Sequence, residues 1–397
     1  MNYRNLIILF FCQLISSTGQ LVVVTLGGII GSSLTSSQSI ATLPVSLMVV
    51  VTALTAIPAT MLMRRIGRKY GSAIASLSAA IAVLLAAYAI KTQSFILFTL
   101  SAAMFGINAA FSQQYRYAAA ESVNQELISR SISLILLGAI GGAILGPELV
   151  TRGQFWINDI QYAGTLISLA LLFVIQAILL LSLGDFSITE EGDGKTSGRK
   201  LSIISKQRVF IMAVLGGTVA YGSMTFIMTA TPLSMHVIDG YSIEETANVI
   251  RSHVLAMYIP SLISGFLIEK YGLNKIMSLG VIGLLGASLA GMSGTSVFMY
   301  WLALVLLGIG WNFLYVGGTT MLTYTYKPNE RFKAQGLNEF FVFGISAFGS
   351  LLAGTIMYKF GWFVLVIIPI PFLLMIGVGL IVTNREVSSL VLKKDSI

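Results

Sequence analysis

One arginine, Arg116, lies inside a long apolar stretch, about four residues or one helical turn from its end. Lipid cannot solvate a charged side chain, so an arginine in such a segment is a candidate for function. It could contact an anionic solute or form part of a gate. The alternative is structural, because its long side chain could reach the membrane interface or pair with Glu121 or Glu339.

Three other titratable residues lie in apolar segments and could carry a proton. His253 is about six residues from the end of its segment, and a histidine titrates near neutral pH. Glu148 and Glu339 lie near the ends of two other segments, where a desolvated carboxyl group could exchange a proton near neutral pH. A neutral histidine bonded between helices, and ion pairs at a gate for each glutamate, are the alternatives.

The composition indicates that these segments cross a membrane. Apolar residues make up 56% of the chain and charged residues only 10%, whereas soluble domains carry about 25% charged residues. The single cysteine, Cys12, excludes a disulfide within the chain and a cysteine metal cluster, and we expect no cofactor. A spanning helix needs about 20 apolar residues, and twelve such segments are present at 5–31, 38–63, 72–91, 95–118, 131–150, 160–183, 209–236, 247–268, 276–293, 297–324, 337–358 and 362–383.

The net charge of +8 follows membrane topology and does not indicate nucleic-acid binding. With the N-terminus in the cytoplasm, most lysines and arginines fall in cytoplasmic loops. This bias obeys the positive-inside rule and predicts that both termini are cytoplasmic. We expect the first segment to be retained as a helix, because it is longer than the core of a signal peptide. The basic residues at or near the outer side are Lys91, Arg152, Arg251 and Lys359.

The chain repeats a short basic turn. Residues 60–69 follow the second apolar segment of the first half, and residues 265–274 follow the second segment of the other half. The long polar stretch between the halves has the composition of a flexible linker. The repeat predicts two pseudo-symmetric six-helix bundles at 1–183 and 209–384, a cytoplasmic linker at 184–208 and a cytoplasmic tail at 385–397.

The first of these turns resembles the signature of the major facilitator superfamily, G-x-L-a-D-r-x-G-R-K. Thr60 and Arg64 replace its glycine and its aspartate. The matching positions are Leu62, Arg65, Gly67, Arg68 and Lys69 in the first copy, and Gly265, Leu267, Glu269, Lys270 and Gly272 in the second. In the family the acidic residue locks the cytoplasmic ends of the two halves together. The resemblance therefore places this lock at Glu269.

Other stretches resemble further signatures of the same superfamily. Residues 327–336 are similar to its loop between helices ten and eleven, and residues 121–130 to the looser counterpart after helix four. Residues 142–147 resemble the G-x-x-x-G-P motif found often in antiporters. Residues 231–235, 249–261 and 265–268 resemble one subgroup of bacterial permeases, most of which lack an assigned substrate. The gating residues that the resemblance implies are Arg65, Arg68, Glu121, Arg130, Glu269, Lys270, Glu330 and Arg331.

In this superfamily helices 1, 4, 7 and 10 line a polar cavity. The resemblance thus implies a substrate site on the first, fourth, seventh and tenth segments. Its aromatic and weakly polar character suits an amphipathic organic molecule better than an inorganic ion. The implied substrate-binding residues are Gln13, Ser17, Gln20, Asn108, Ser112, Gln113, Arg116, Tyr221, Thr225, Trp311, Asn312 and Tyr315.

We therefore expect an all-α membrane protein that is a secondary active transporter and not an enzyme. It would move a small organic, amphipathic or anionic solute across the bacterial inner membrane by alternating access, as a monomer coupled to protons. The motif at 142–147 favours efflux by antiport. Arg116 supports the alternative, uptake by symport of an anionic nutrient or a metal chelate such as a siderophore complex. A membrane enzyme or a non-transporting receptor is a third possibility, although no cluster of catalytic residues supports it.

Overall fold

The computed structural model describes residues 3–122, 128–157, 160–184, 199–327 and 330–395, and these contain helices and no strand. The helices are α1 Tyr3–Leu34, α2 Leu43–Ile66, α3 Arg68–Lys91, α4 Phe95–Ser112, α5 Tyr115–Glu121, α6 Ile128–Gly153, α7 Ala163–Leu181, α8 Leu201–Ile204, α9 Arg208–Pro232, α10 Ile243–Tyr258, α11 Ser261–Tyr271, α12 Leu273–Met292, α13 Val297–Thr323, α14 Arg331–Ile367 and α15 Pro369–Asp395. This confirms the predicted all-α membrane fold.

The number of spans is consistent with twelve. Among the described residues, nine helical stretches are long and apolar enough to cross a membrane, and α10 with α11 forms a tenth that is bent by 41°. The last stretch, Lys333–Val387, covers two predicted segments. It is divided at Gly361, where a φ of 78° interrupts the helix. The fifth predicted segment is occupied by α6.

The chain forms two compact units. The first unit comprises Met1–Thr189 together with Thr229–Val254 and Ser350–Lys359. The second unit comprises Glu190–Met228, Leu255–Gly349 and Phe360–Ile397. The predicted bundle boundaries at 183 and 209 concern the repeat in the chain, and they stay a prediction.

In the first unit, α1 packs along α6, α2 along α4, and α3 along α4 and α7. Glycines on α6 allow the closest of these approaches, as small residues do between helices in lipid. A Cβ on Gly142 would lie 2.7 Å from the backbone nitrogen of Thr18, and one on Gly138 would lie 2.8 Å from the carbonyl oxygen of Phe10. The backbones of α1 and α6 are therefore in contact where these glycines stand.

The second unit has matching neighbours. Its α11 packs on α13, and its α12 packs on α13 and α15, as α2, α3, α4 and α7 do in the first unit. The two basic turns also share one backbone conformation, since Gly67 has φ 86° and ψ 154° and Gly272 has φ 94° and ψ 146°. Only glycine adopts such angles without strain. Ser94 and Ser296 are the N-cap residues of the equivalent helices α4 and α13. The side chain of each accepts a hydrogen bond from a backbone N–H in the first turn of its helix.

Candidate functional site

Five aromatic side chains of the second unit contact one another, and we call this group the aromatic cluster. Trp311 and Tyr315 are one turn apart on α13 and stack with ring centroids 5.0 Å apart and an interplanar angle of 16°. Tyr221 of α9 meets Trp311, Tyr315 and Phe343 edge-on, at 5.5, 5.3 and 5.4 Å. Tyr258 of α10 completes the group, 6.3 Å from Trp311. Such a cluster can hold a flat aromatic molecule.

The cluster also contains a directed hydrogen-bond donor. Trp311 is only 5% exposed, and among the described residues no acceptor lies within hydrogen-bond distance of its Nε1. A buried donor left without an acceptor costs about 1–3 kcal/mol. A bound molecule with a carbonyl oxygen or a ring nitrogen would supply that acceptor. The site therefore combines aromatic faces with one N–H group.

The predicted site residue Asn312 follows Trp311 in the chain, but its side chain contacts α10 and α11 and is not part of the aromatic cluster. Its Nδ2 donates to the carbonyl oxygen of Met257 at 2.8 Å and also to the hydroxyl of Ser261. These acceptors flank the break between α10 and α11, where Pro260 cannot donate a backbone bond. In membranes, side chains of neighbouring helices commonly bond to backbone groups at such a break. Thr225 is buried on α9.

The predicted residues of α1 and α4 lie in the first unit and form short polar contacts. Gln13 donates to Ser17 at 3.0 Å, and Gln20 donates to Ser112 at 3.3 Å. Asn108 is buried on α4, whereas Gln113 is exposed in the turn that follows.

Gln176 is a buried polar residue that was not among the predicted site residues. Gln176 of α7 donates to Ser16 at 2.9 Å and to the hydroxyl of Tyr115 at 2.7 Å. The sequence signal was a lone glutamine in an otherwise apolar segment.

Arg116 differs from its predicted placement inside helix four. The helix α4 ends at Ser112, and Arg116 lies on the separate short helix α5, where it is half-buried. A turn at Gln113 and Gln114 separates the two helices. The predicted segment 95–118 is thus one span followed by a short helix.

The three proton-carrying candidates have different environments. Glu148 of α6 contacts Arg251 of α10 at 3.0 Å and Arg152 of its own helix at 3.0 Å. His253 is fully buried on α10, two residues after Arg251, in the same first unit. Glu339 is half-buried on α14 in the second unit. Glu148 therefore forms an ion pair with Arg251. Glu148 and His253 belong to the first unit, and Glu339 belongs to the second.

The Glu148–Arg251 pair belongs to a polar seam in the first unit, which joins segments far apart in sequence. Ser46 of α2 donates to the carbonyl oxygen of Ser350 at 2.6 Å, and Ser350 and Thr229 share a bond of 3.0 Å. Thr355 donates to the carbonyl oxygen of Ser39 at 3.1 Å. We call these contacts, with Glu148 and Arg251, the polar seam. They join α10 to α6, α14 to α2 and to the turn before α2, and α9 to α14.

Glu330, a predicted gating residue, is held by Arg199 in the second unit. The side chain of Arg199 donates to the two carboxylate oxygens at 2.9 and 2.7 Å, and its backbone N–H donates at 2.8 Å. The amide of Lys327 adds a bond of 2.9 Å. Glu330 is 1% exposed. In the sequence, Arg199 is only one of the basic residues that indicate the cytoplasmic side. No local pattern identifies Glu330 as its partner, because the two residues are 131 positions apart.

The hydrogen bonds from Arg199 hold the pKa of Glu330 at about 2, below its ordinary value of 4.5. A carboxyl group with a lowered pKa stabilises the folded state above its ordinary pKa, and this contribution is lost as the pH falls towards 2. We expect Glu330→Gln to lower stability by about 1.5–3 kcal/mol near pH 7, the range for hydrogen bonds to charged groups. Melting curves of the purified protein between pH 7 and pH 3 would measure this difference, which should shrink at the acidic end.

A matched control is Glu386→Gln. The Glu386 carboxylate meets Arg208 at 3.3 Å, with the two side chains 44% and 73% exposed, and exposed pairs contribute about 0–1 kcal/mol. Equal melting temperatures for the two variants at neutral pH would contradict the prediction.

The remaining predicted gating residues are more exposed where they are described. Arg65 and Glu269 are exposed, and Arg68 is half-buried. Lys270 is exposed and lies over the ring of Tyr271, 5.3 Å from its centroid. The side chains of Glu121, Arg130 and Arg331 lie outside the described residues.

The chain matches the family model of the Major Facilitator Superfamily over residues 8–250 and 213–396. It is 36% identical to the riboflavin transporter RfnT of Brucella anthropi over 360 residues, covering 90% of each chain. It is 29% identical to the uncharacterized MFS-type transporter YddS of Bacillus subtilis, over 89% of this chain and 85% of that one.

Solved structures with the same fold are more distant in sequence. A bacterial homologue of the human lysosomal transporter Spinster, in an inward-facing and occupied conformation, superposes with a TM-score of 0.75 at 14% identity over 97% of both chains. The nucleoside transporter NupG superposes with a TM-score of 0.67 at 15% identity, over 97% of this chain and 100% of that one. These two similarities concern the fold.

Proposed function

The chain belongs to the major facilitator superfamily and is a membrane transporter, and we propose that it carries riboflavin or a closely related flavin. The observation that carries this proposal is the aromatic cluster, above all the stacked pair Trp311 and Tyr315. The 36% identity to a riboflavin transporter supports the same cargo. The expected class of solute, a small amphipathic organic molecule, includes flavins.

The chemistry of a flavin fits the aromatic cluster. Its three fused rings are flat and carry carbonyl oxygens and ring nitrogens, and its sugar-like side chain carries hydroxyl groups. Stacking of a heteroaromatic base on an aromatic side chain contributes about 1–3 kcal/mol. The buried Nε1–H of Trp311 would donate to a ring acceptor.

The direct test is counterflow in proteoliposomes that contain the purified protein. Labelled riboflavin should accumulate transiently when unlabelled riboflavin is present inside, and empty liposomes should show no such uptake. Nucleosides, iron chelates and small carboxylates form the comparison panel. Exchange of one of these solutes without exchange of riboflavin would assign the protein a different cargo.

We propose that the polar seam is the outer gate of an alternating-access cycle and that Glu148 holds it closed. Ser39 and Ser46 of the seam lie where α1 ends and α2 begins, which is the outer side when both termini are in the cytoplasm of a bacterium, as the distribution of basic residues favours. Its support is the set of contacts from Glu148 and Ser46 to residues of α10 and α14.

We expect Arg251→Gln to open this gate more often. Glu148 and Arg251 are 37% and 28% exposed, and such a pair contributes about 0.5–1 kcal/mol, so the open population should rise about two- to fivefold. Labelling of Ser46→Cys by an impermeant maleimide would measure it, because Ser46 and the natural Cys12 are both buried. Arg152→Gln is the control, since the Arg152 side chain is 75% exposed. Equal labelling of the two variants would show that the Glu148–Arg251 pair does not hold the gate closed.

We propose that protons drive transport and that His253 carries the coupling proton. Its support is a fully buried imidazole two residues from the Glu148–Arg251 pair. We expect His253→Gln to flatten the dependence of riboflavin transport on pH between about 5.5 and 7.5, since histidine is the side chain that titrates in this range. An unchanged pH profile would assign His253 a structural role.

Direction of transport is a separate proposal. The motif at 142–147, with Gly142, Gly146 and Pro147, favours export in exchange for protons. Uptake together with protons is the second candidate. Right-side-out and inverted vesicles, each given a proton gradient of either sign, distinguish the two by which orientation accumulates labelled riboflavin.

A further inference from the structure

A groove of about 580 Å³ lies between α11, α12 and α15 of the second unit. Its walls include Tyr271, Asn274, Lys275, Leu279, Ile282 and Ile381. It shares no residue with the aromatic cluster, so it is distinct from the proposed cargo site. Among the residues that the structure describes, none in the lining is acidic.

One end of the groove is polar. Lys275 lies in the first turn of α12 and is exposed. Asn274 donates to the side-chain oxygen of Asn384 at 2.9 Å. Among the described residues, its own buried Oδ1 accepts no hydrogen bond. These groups would contact a ligand that is anionic and also carries a hydroxyl or ammonium donor.

The first turn of α12 adds positive potential to the same end. Its N-cap is Gly272, which has no side chain to accept the free amides of that turn. Free amides at a helix start favour an anion. Lys275, which lines the groove, lies in that same turn, so its ammonium group and the free amides act on the same end of the groove.

The other end of the groove is apolar and open. Leu279, Ile282 and Ile381 are 50%, 62% and 77% exposed. Ile282 follows Lys275 by two turns of α12, or about 10 Å. In a protein that spans a bilayer, such side chains face lipid. The groove is thus charged at the membrane interface and apolar deeper in the membrane.

We propose that this groove binds one anionic phospholipid, with the phosphate at Lys275 and the first turn of α12 and the acyl chains along Leu279, Ile282 and Ile381. Basic pockets between spanning helices are suited to anionic headgroups. The absence of acidic side chains from the lining favours a lipid with net negative charge over a zwitterionic one. The proposal does not rest on the identity of the cargo.

Native mass spectrometry of the full-length protein tests the proposal. Protein in detergent is titrated with phosphatidylglycerol or with phosphatidylcholine of the same chains. We expect one phosphatidylglycerol to bind about fivefold more tightly, the effect of one lysine near an anionic lipid. Lys275→Ala should remove this preference, and Ile282→Trp should weaken binding of both lipids by filling the apolar end. Lys91→Ala, an exposed lysine at the end of α3, is the matched control.

The outcomes separate the possible occupants. Equal preference for phosphatidylglycerol in the wild type and in Lys275→Ala would overturn the proposal. Displacement of the lipid by millimolar inorganic phosphate would also overturn it, because the groove would then bind a free anion. The melting temperature of Lys275→Ala without added lipid should equal that of the wild type. Loss of the lipid preference in a variant of unchanged melting temperature supports the lipid site.

Discussion

Replacing Trp311 by alanine is expected to weaken riboflavin binding by about 10- to 100-fold. Stacking on an aromatic ring contributes about 1–3 kcal/mol, and a factor of ten corresponds to about 1.4 kcal/mol. Trp311 provides the largest ring of the aromatic cluster and stacks on Tyr315 at 5.0 Å. It also provides the buried Nε1–H donor. Quenching of flavin fluorescence on titration with purified protein would give the dissociation constant.

Two further variants separate the contributions of Trp311. Trp311→Phe keeps an aromatic face but loses the N–H group, so it should weaken binding by about three- to tenfold, less than the alanine variant. Trp301→Ala is the matched control, because Trp301 lies on the same helix, is 39% exposed and stacks on Phe298 instead. Equal affinity of Trp311→Ala and Trp301→Ala for riboflavin would exclude the aromatic cluster as the flavin site.

Replacing Gly142 by leucine is expected to abolish both folding and transport. Even a Cβ at this position would lie 2.5 Å from the Cβ of Ser17 and 2.7 Å from the backbone nitrogen of Thr18. A backbone atom cannot move aside as a flexible side chain can, so α6 would have to separate from α1. Overpacking of this kind costs about 1–3 kcal/mol for a small addition and more for a larger one. Gly142→Ala should therefore fold with a lower melting temperature.

The control for this prediction is Gly265→Leu. Gly265 also lies within a helix, α11, but no atom of the described part of the chain lies within 4 Å of the position its Cβ would take. Size-exclusion chromatography in detergent, followed by melting curves, would measure the yield and stability of each variant, and only Gly265→Leu should give folded protein. Normal yield and stability of Gly142→Leu would show that the contact of α1 with α6 is not as close as the structure indicates.

Features that depend on local chemistry were predictable. Long apolar segments must form helices in lipid because each backbone group needs a partner within its own segment. The repeated turn places glycine where the backbone has φ 86° at Gly67 and φ 94° at Gly272, and other residues would be strained there. The family resemblance named Tyr221, Trp311 and Tyr315 together, and the structure brings their rings into contact. Their role in binding substrate stays a prediction.

The partners of polar side chains were not predictable. Glu330 and Arg199 are 131 positions apart, and Glu148 and Arg251 are 103 positions apart. The Asn312 amide donates to the carbonyl oxygen of Met257 on another helix, a partner that the sequence did not indicate, and its role in binding substrate stays a prediction. Such pairs depend on which helix faces meet, and hydropathy does not specify that.

The amino-acid sequence by itself thus determined the membrane-spanning helices, the repeated turns and the family, because lipid and backbone sterics act on short stretches of chain. Only the tertiary structure decided that Trp311 stacks in a cluster while Asn312 supports a bent helix. It also decided that a groove with Lys275 in its wall opens beside α12. The physical reason is that side-chain packing between distant segments selects one partner from many of similar polarity.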